Sequence, residues 1–184
     1  MSPSLFSANY ELKHIADEDA LFSNPQFFND DKLLFNGVCH IDASYGGSDG
    51  TAFTIIKQNG DKFYVLGKRR NKHVDDCLSE FYLYMDKYKS GTIYAEKNAD
   101  KGYLHKEMIN DNRIVKGYQE TMNKYIKIST YLRKNWSNIY FHEDTDSEYL
   151  NEILDYTEHS IHDDSPDSLA SIIRELTAKG KWLY

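Results

Sequence analysis

Val38-Cys39-His40-Ile41-Asp42, then Ala43-Ser44-Tyr45-Gly46-Gly47-Ser48-Asp49-Gly50, then Thr51-Ala52-Phe53-Thr54-Ile55-Ile56-Lys57: an apolar run closing on an acid, a glycine-rich turn, and a second apolar run. The two runs, taken as Leu34 to Ala43 and Thr51 to Lys57, have the length and β-branched content of buried strands. Gln58-Asn59-Gly60-Asp61 follows, and Asn-Gly between apolar runs is the strongest short hairpin signal. It leads into Lys62 to Arg69, so three consecutive antiparallel strands are predicted.

Beyond this meander the apolar period changes. Val74, Cys77, Leu78, Phe81, Met85 and Tyr88 recur at three- and four-residue spacing, which places them on one helical face. Thr92 to Glu96 reads as a short strand after Ser90-Gly91, and Lys101 to Ile109 as a second helix. A short segment at Arg113 to Gly117 precedes a helix expected from Gln119 to Asn135, then a strand at Asn138 to Phe141. Helices at Ser147 to Tyr156 and Ser165 to Ala178 complete the pattern, the last stopped by Gly180. The expected fold class is α/β: a mixed sheet, three antiparallel strands and then parallel ones, with helices on both faces. Residues 1–34 read as a lead-in segment with a helical signal at Asp17 to Phe22 and no clear strand, and 35–184 as one domain.

The chain has 184 residues, enough for one domain with a core, and no stretch suited to spanning a bilayer. The first residues lack a secretory pattern, and Cys39 and Cys77 define neither a disulfide nor a zinc motif, which suits a reducing, intracellular setting. Both cysteines read as packing residues. The net charge of −7 is unevenly spread. Lys68 to Lys134 holds 15 Lys or Arg against 9 Asp or Glu, whereas His142 to Asp167 holds 10 acids and no Lys or Arg. Bound cations near the acidic segment would offset part of its charge and leave the basic middle to face phosphates.

The acids have a pattern of their own. Asp42 closes one predicted strand, Glu96 closes another, and His162-Asp163-Asp164-Ser165-Pro166-Asp167 opens the last helix. If the two strands are parallel neighbours, Asp42 and Glu96 end side by side at the carboxyl edge of the sheet, where open α/β sheets keep their sites. Each acid also has an ordinary role available, as a turn residue, a solvated strand end or a helix cap. Together they are better explained by metal, because Asp42 follows a strand too apolar to be exposed and a buried unpaired carboxylate is costly. Such oxygen ligands suit Mg²⁺ or Mn²⁺, and two such ions are the usual engine of phosphodiester cleavage. Asp42 would bridge two ions, Glu96 would complete one site, and the Asp163, Asp164 and Asp167 group the other. Asp49 reads as a turn residue and His162 as packing or helix-entry hydrogen bonding. Lys68, Arg69, Arg70 and Lys72, leaving the third strand, and Arg133 and Lys134, ending a long helix, are the candidate phosphate contacts.

Three motifs in this order, Cys39 through Ala52, Glu96-Lys97-Asn98 with Gly102, and His162 through Ala170, resemble the nuclease domain of tailed-phage terminase large subunits. The resemblance covers about residues 35–178. It implies an RNase H-like fold related to Holliday-junction resolvases, and an endonuclease that cuts concatemeric double-stranded DNA during genome packaging in the host cytoplasm. The family's catalytic and metal-binding acids map onto Asp42, Glu96, Asp163 and Asp164, with Asp167 a further candidate, and the implied partners are an ATPase motor, a small terminase subunit and a portal. The motor's Gly-x-x-x-x-Gly-Lys-Ser/Thr phosphate loop is not found in this sequence, so the chain reads as the nuclease half. A junction resolvase and a non-catalytic docking module are the competing readings.

Overall fold

The computed structural model describes residues 20–46, 50–97 and 101–179. The predicted meander forms strands β2 (Val38–Asp42), β3 (Thr51–Asn59) and β4 (Lys62–Arg70), antiparallel in sequence order. Asn59 pairs with Lys62, and Gly60 turns the chain at φ 63°, a conformation glycine adopts without the Cβ penalty. Strands β5 (Thr92–Glu96), β6 (Ile114–Tyr118) and β7 (Ile139–His142) join by parallel pairing, as does a short β1 (Gln26–Phe28). The sheet runs β1-β7-β4-β3-β2-β5-β6, which puts β2 inside it, antiparallel to β3 and parallel to β5.

Strand alternation sends side chains to two cores. On one face Cys39, Ile41, Phe53, Ile55, Leu66 and Ile93 are buried under helices α1 (Leu78–Lys87) and α2 (Tyr103–Asn110), which contribute Phe81, Met85, Leu104 and Met108. On the other, Ala52, Ile56, Val65 and Phe141 meet three further helices. These are α3 (Lys124–Lys127), prolonged by a π-wound segment (Ile128–Arg133), α4 (Ser147–Leu154) and α5 (Asp164–Lys179). Gly67 matters to this face: a Cβ there would lie 2.2 Å from the Tyr149 ring, so its absence lets α4 settle on β4. Helices thus cover both faces, as expected, and both cysteines are buried. Among the described residues no helix is long and apolar enough to cross a membrane.

Several elements differ from the sequence reading. The helix expected from Gln119 starts at Lys124, because the Asn123 side chain caps it by accepting from Ile126 N at 3.2 Å. Glu120 instead folds its carboxylate back onto the amides of Thr121 and Met122. The segment after Arg113 is a full sheet-edge strand, β6. The first 34 residues hold a strand, β1, and bury Phe22 and Leu34, so this stretch is partly built into the sheet. Half of the helical signal at Asp17 to Phe22 lies outside the described residues, and Ala20 to Phe22 are not helical. Gly47, Asp49, Asn98 and Gly180 also lie outside them.

Candidate active site

Parallel pairing of β2 with β5 runs from Val38 opposite Thr92 to Ile41 opposite Ala95, so the next pair at the carboxyl edge is Asp42 beside Glu96. Both continue the faces of His40 and Tyr94, which look toward α5 and its core. The Oδ2 of Asp42 is buried with no hydrogen-bond partner. Burial, and then the neighbouring Asp167 carboxylate, push the Asp42 carboxyl well above the ordinary range, with Lys124 offsetting only part. Glu96 is raised as well, by burial first; Lys127 opposes the shift and Asp167 adds to it. Strand pairing alone thus delivers two acids to one point, and the protein's own charges leave them short of positive partners.

The first turn of α5 brings the remaining acids. Asp163 precedes the helix and its carbonyl accepts from Asp167 N at 2.9 Å, closing the first turn. Its carboxylate takes Lys124 Nζ at 2.7 Å. Asp164 faces elsewhere. Its Oδ2 accepts from Gly50 N at 2.8 Å and from Arg69 Nη2 at 3.3 Å, tying the loop after β2 to the helix. A Cβ at Gly50 would lie 2.8 Å from the Arg69 guanidinium, so glycine keeps that contact open. Burial raises the Asp164 carboxyl despite the Gly50 amide. Asp167 sits closest to the strand acids in electrostatic terms, with Oδ1 2.7 Å from Lys127 Nζ and Oδ2 3.9 Å from Lys124 Nζ. Burial raises its carboxyl and the two lysines work against that rise. The structure therefore gathers Asp42, Glu96 and Asp167 on one side, with Asp163 beside them and Asp164 turned to the loop. His162 is exposed, so of the two roles read for it, packing or helix-entry hydrogen bonding, only packing is removed.

Behind these acids lies a polar relay that sequence reasoning missed. His40 Nδ1 shares a 2.8 Å hydrogen bond with Ser168 Oγ, and Nε2 one of 2.7 Å with Tyr118 OH. Ser168 Oγ continues at 2.9 Å to Thr54 Oγ1, which reaches Tyr149 OH at 2.6 Å. His40, Ser168, Thr54 and Tyr149 are all buried. The relay pins the first turn of α5 to β2, β3, β6 and α4, and so fixes where Asp167 points. Burial pulls the His40 imidazole down to about 3, so it is neutral, one ring nitrogen donating and the other accepting. The signal in the sequence was His40 itself, a polar residue inside an apolar strand two positions before Asp42.

A second ionic chain supports the site from the side. Lys127, 1% exposed, also lies 2.7 Å from Glu120 Oε2, and Glu120 Oε1 accepts from Arg174 at 2.7 Å. Of the basic candidates, Lys68, Arg69 and Arg70 are spent on internal partners: Lys68 on Asp146, Arg69 on Glu152 and Asp164, Arg70 on Glu80 and Asp146. Lys72, Arg133 and Lys134 are exposed.

The donors fit a hard divalent cation in chemistry: carboxylate oxygens, one of them buried and unpartnered at Asp42. Among the described residues, however, no three His, Cys, Asp or Glu side chains are already gathered closely enough to hold an ion. Lys124, Lys127 and Arg69 pair with the acids at the start of α5.

No family model matches this sequence, and no curated protein does. Solved structures do. The large terminase nuclease from thermophilic phage G20c with bound magnesium aligns over 84% of this chain and 93% of its own, at 12% identity and a TM-score of 0.58. The zinc-bound form gives 13% identity and the same TM-score over 82% of this chain and 91% of its own. The large terminase of a second thermophilic bacteriophage aligns over 96% of this chain but 53% of its own length, at 11% identity and a TM-score of 0.58. At such identities the likeness establishes the fold: that of the large terminase nucleases, RNase H-like, as the three motifs implied.

Proposed function

We propose that this chain is a divalent-metal-dependent DNA endonuclease of a phage packaging terminase. The observation that carries the reading is the buried, unpartnered Oδ2 of Asp42 at the carboxyl end of a central strand, beside Glu96 and facing the acids of α5. The solved neighbours of this fold include nucleases with bound magnesium, zinc and cobalt, which supports a divalent cation here. Mg²⁺ or Mn²⁺ suits the all-oxygen donor set, and two ions are the proposed complement.

Asp42, Glu96 and Asp167 would hold the first ion and Asp42 with Asp163 the second. When bound, the ions supply an activated water and stabilisation of the leaving 3′ oxygen. Asp164 keeps the loop after β2 docked through Gly50 and Arg69, and so acts on the geometry of Asp42. The His40–Ser168–Thr54–Tyr149 relay holds α5 at its station while DNA is bound. Lys72, Arg133 and Lys134 are the proposed phosphate contacts; Lys68, Arg69 and Arg70 serve the same surface indirectly by holding its acids. In this reading the substrate is concatemeric double-stranded DNA, cut in the host cytoplasm by a complex that includes an ATPase motor, a small subunit and a portal.

Linear duplex and a four-way junction, compared as substrates with Mn²⁺, test the reading. Comparable cleavage of both without a preferred position is expected. Symmetric cutting confined to the junction would replace it with a resolvase, and cleavage of neither, by folded protein, with a docking module.

A further inference from the structure

Asp167 carries a lysine on each oxygen, and the two lysines differ in kind. Lys127 Nζ is 2.7 Å from Oδ1, is 1% exposed, and is fixed a second time by Glu120. Lys124 Nζ is 3.9 Å from Oδ2 and 2.7 Å from Asp163 Oδ1, and its side chain is 52% exposed. The two stand three residues apart on one helical face, so α3 presents both ammonium groups to the acids of α5. Lys127 is enclosed, and removing it would strand buried acids, which makes it a permanent part of the fold. Lys124 is half exposed, and although, against the opposing effect of burial, the Asp167 and Asp163 carboxylates hold its ammonium charged, solvent reaches it, so a cation can compete for the same oxygens.

We propose that Lys124 is a displaceable internal counter-ion: a divalent cation entering among Asp42, Glu96 and Asp167 competes with its ammonium for Asp163 and Asp167, so Lys124 sets the metal concentration at which the centre loads. This rests on the metal-dependent reading above. Three observations converge on it. The acids of α5 each have a cationic or amide partner in the structure, whereas Asp42 Oδ2 has none. Among the described residues no three acids stand close enough together to hold an ion. Of the two lysines, Lys124 is the one open to solvent, its side chain 52% exposed against 1% for Lys127. The consequence is a centre that stays electrostatically quiet at low metal and gathers its ligands as metal rises.

The test is calorimetric titration of the full chain with Mn²⁺, for wild type, Lys124→Met, Lys124→Gln, Lys124→Arg and Asp42→Asn. Removing a competing and repelling unit charge at this distance is expected to tighten Mn²⁺ binding about tenfold in Lys124→Met and Lys124→Gln, with Lys124→Arg near wild type. The gain is expected to shrink in about 1 M NaCl, where exposed charges are screened. A merely structural lysine would give the opposite sign, because a loosened site binds metal less well. Unchanged or weaker binding by folded Lys124→Met, or by folded Lys124→Gln should the methionine variant not fold, overturns the proposal. So does the absence of Mn²⁺ binding in wild type and variants alike. Failure of the nuclease reading has its own signature, Mn²⁺ bound in an Asp42-dependent way with no DNA cut.

Discussion

Lowering the pH in the presence and absence of His40 probes the relay that fixes the acids of α5. The folded protein holds the His40 imidazole near 3, by burial first and then by the nearby Lys127 and Arg174, against 6.5 for the free side chain. An unfolded chain therefore takes up a proton below about pH 6.5 that the folded chain refuses until about pH 3, and stability falls across that window. The limiting slope is about 1.4 kcal/mol per pH unit, and the loss from this one group between about pH 6 and about pH 4 is roughly 2–3 kcal/mol. Asp42, Asp164 and Asp167 have raised carboxyls and pull the other way, since folded protein binds their protons more readily. The comparison with His40→Gln isolates the histidine, because the variant keeps the acids and can still hydrogen-bond Ser168 or Tyr118. Urea denaturation at several pH values is the assay. Wild type is expected to lose roughly 2–3 kcal/mol more than His40→Gln over that range, and parallel curves for the two proteins would refute a neutral, enclosed His40.

Further outcomes follow from the same geometry. Lys127→Met leaves Asp167 and Glu120 buried without their cation and is expected to cost about 3–5 kcal/mol in denaturant melts, whereas a cost below about 1 kcal/mol would mean the ammonium is not part of the fold. Gly67→Ala drives a methyl into the Tyr149 ring and should cost about 1–3 kcal/mol in denaturant melts, with the Tyr149 ring resonances in NMR spectra reporting the shift of α4. Burial would raise the Glu120 carboxyl, but Lys127, the Met122 amide and Arg174 hold it near 2 instead. Its contribution, about 1 kcal/mol after solvent screening, is present above about pH 4.5 and lost as pH falls toward 2, so Glu120→Gln melts should lack that part of the acid decline.

The meander was legible because its signals are local: β-branched runs, a glycine-rich turn, and Asn59-Gly60 at the hairpin. The pairing of Asp42 with Glu96 was legible for a related reason, since an acid closing an apolar strand marks the strand's end and parallel neighbours share an edge. β1 and β6 were hidden because edge strands are short and half solvated, and neither Gln26–Phe28 nor Ile114–Tyr118 alternates cleanly. The late start of α3 was written in Asn123, a capping residue that the apolar period after Gln119 overrode. The hidden part of the site was who holds whom. Arg69 and Lys68 looked like phosphate ligands by charge, yet they meet Asp164 and Asp146 across sequence separations no local pattern records. Likewise His40 and Ser168 are 128 residues apart, and only the folded sheet makes them neighbours.

Whether Asp42 anchors a metal-dependent DNA-cleaving centre is decided by digesting supercoiled and linear plasmid with Mn²⁺, Mg²⁺ or EDTA, wild type beside Asp42→Asn. Metal-dependent nicking and linearisation by the wild type, abolished by EDTA and by Asp42→Asn in a protein with unchanged circular dichroism, is the expected result. Cleavage that survives in folded Asp42→Asn, or no cleavage by folded wild type with either metal, would show that Asp42 is not the anchor of such a centre.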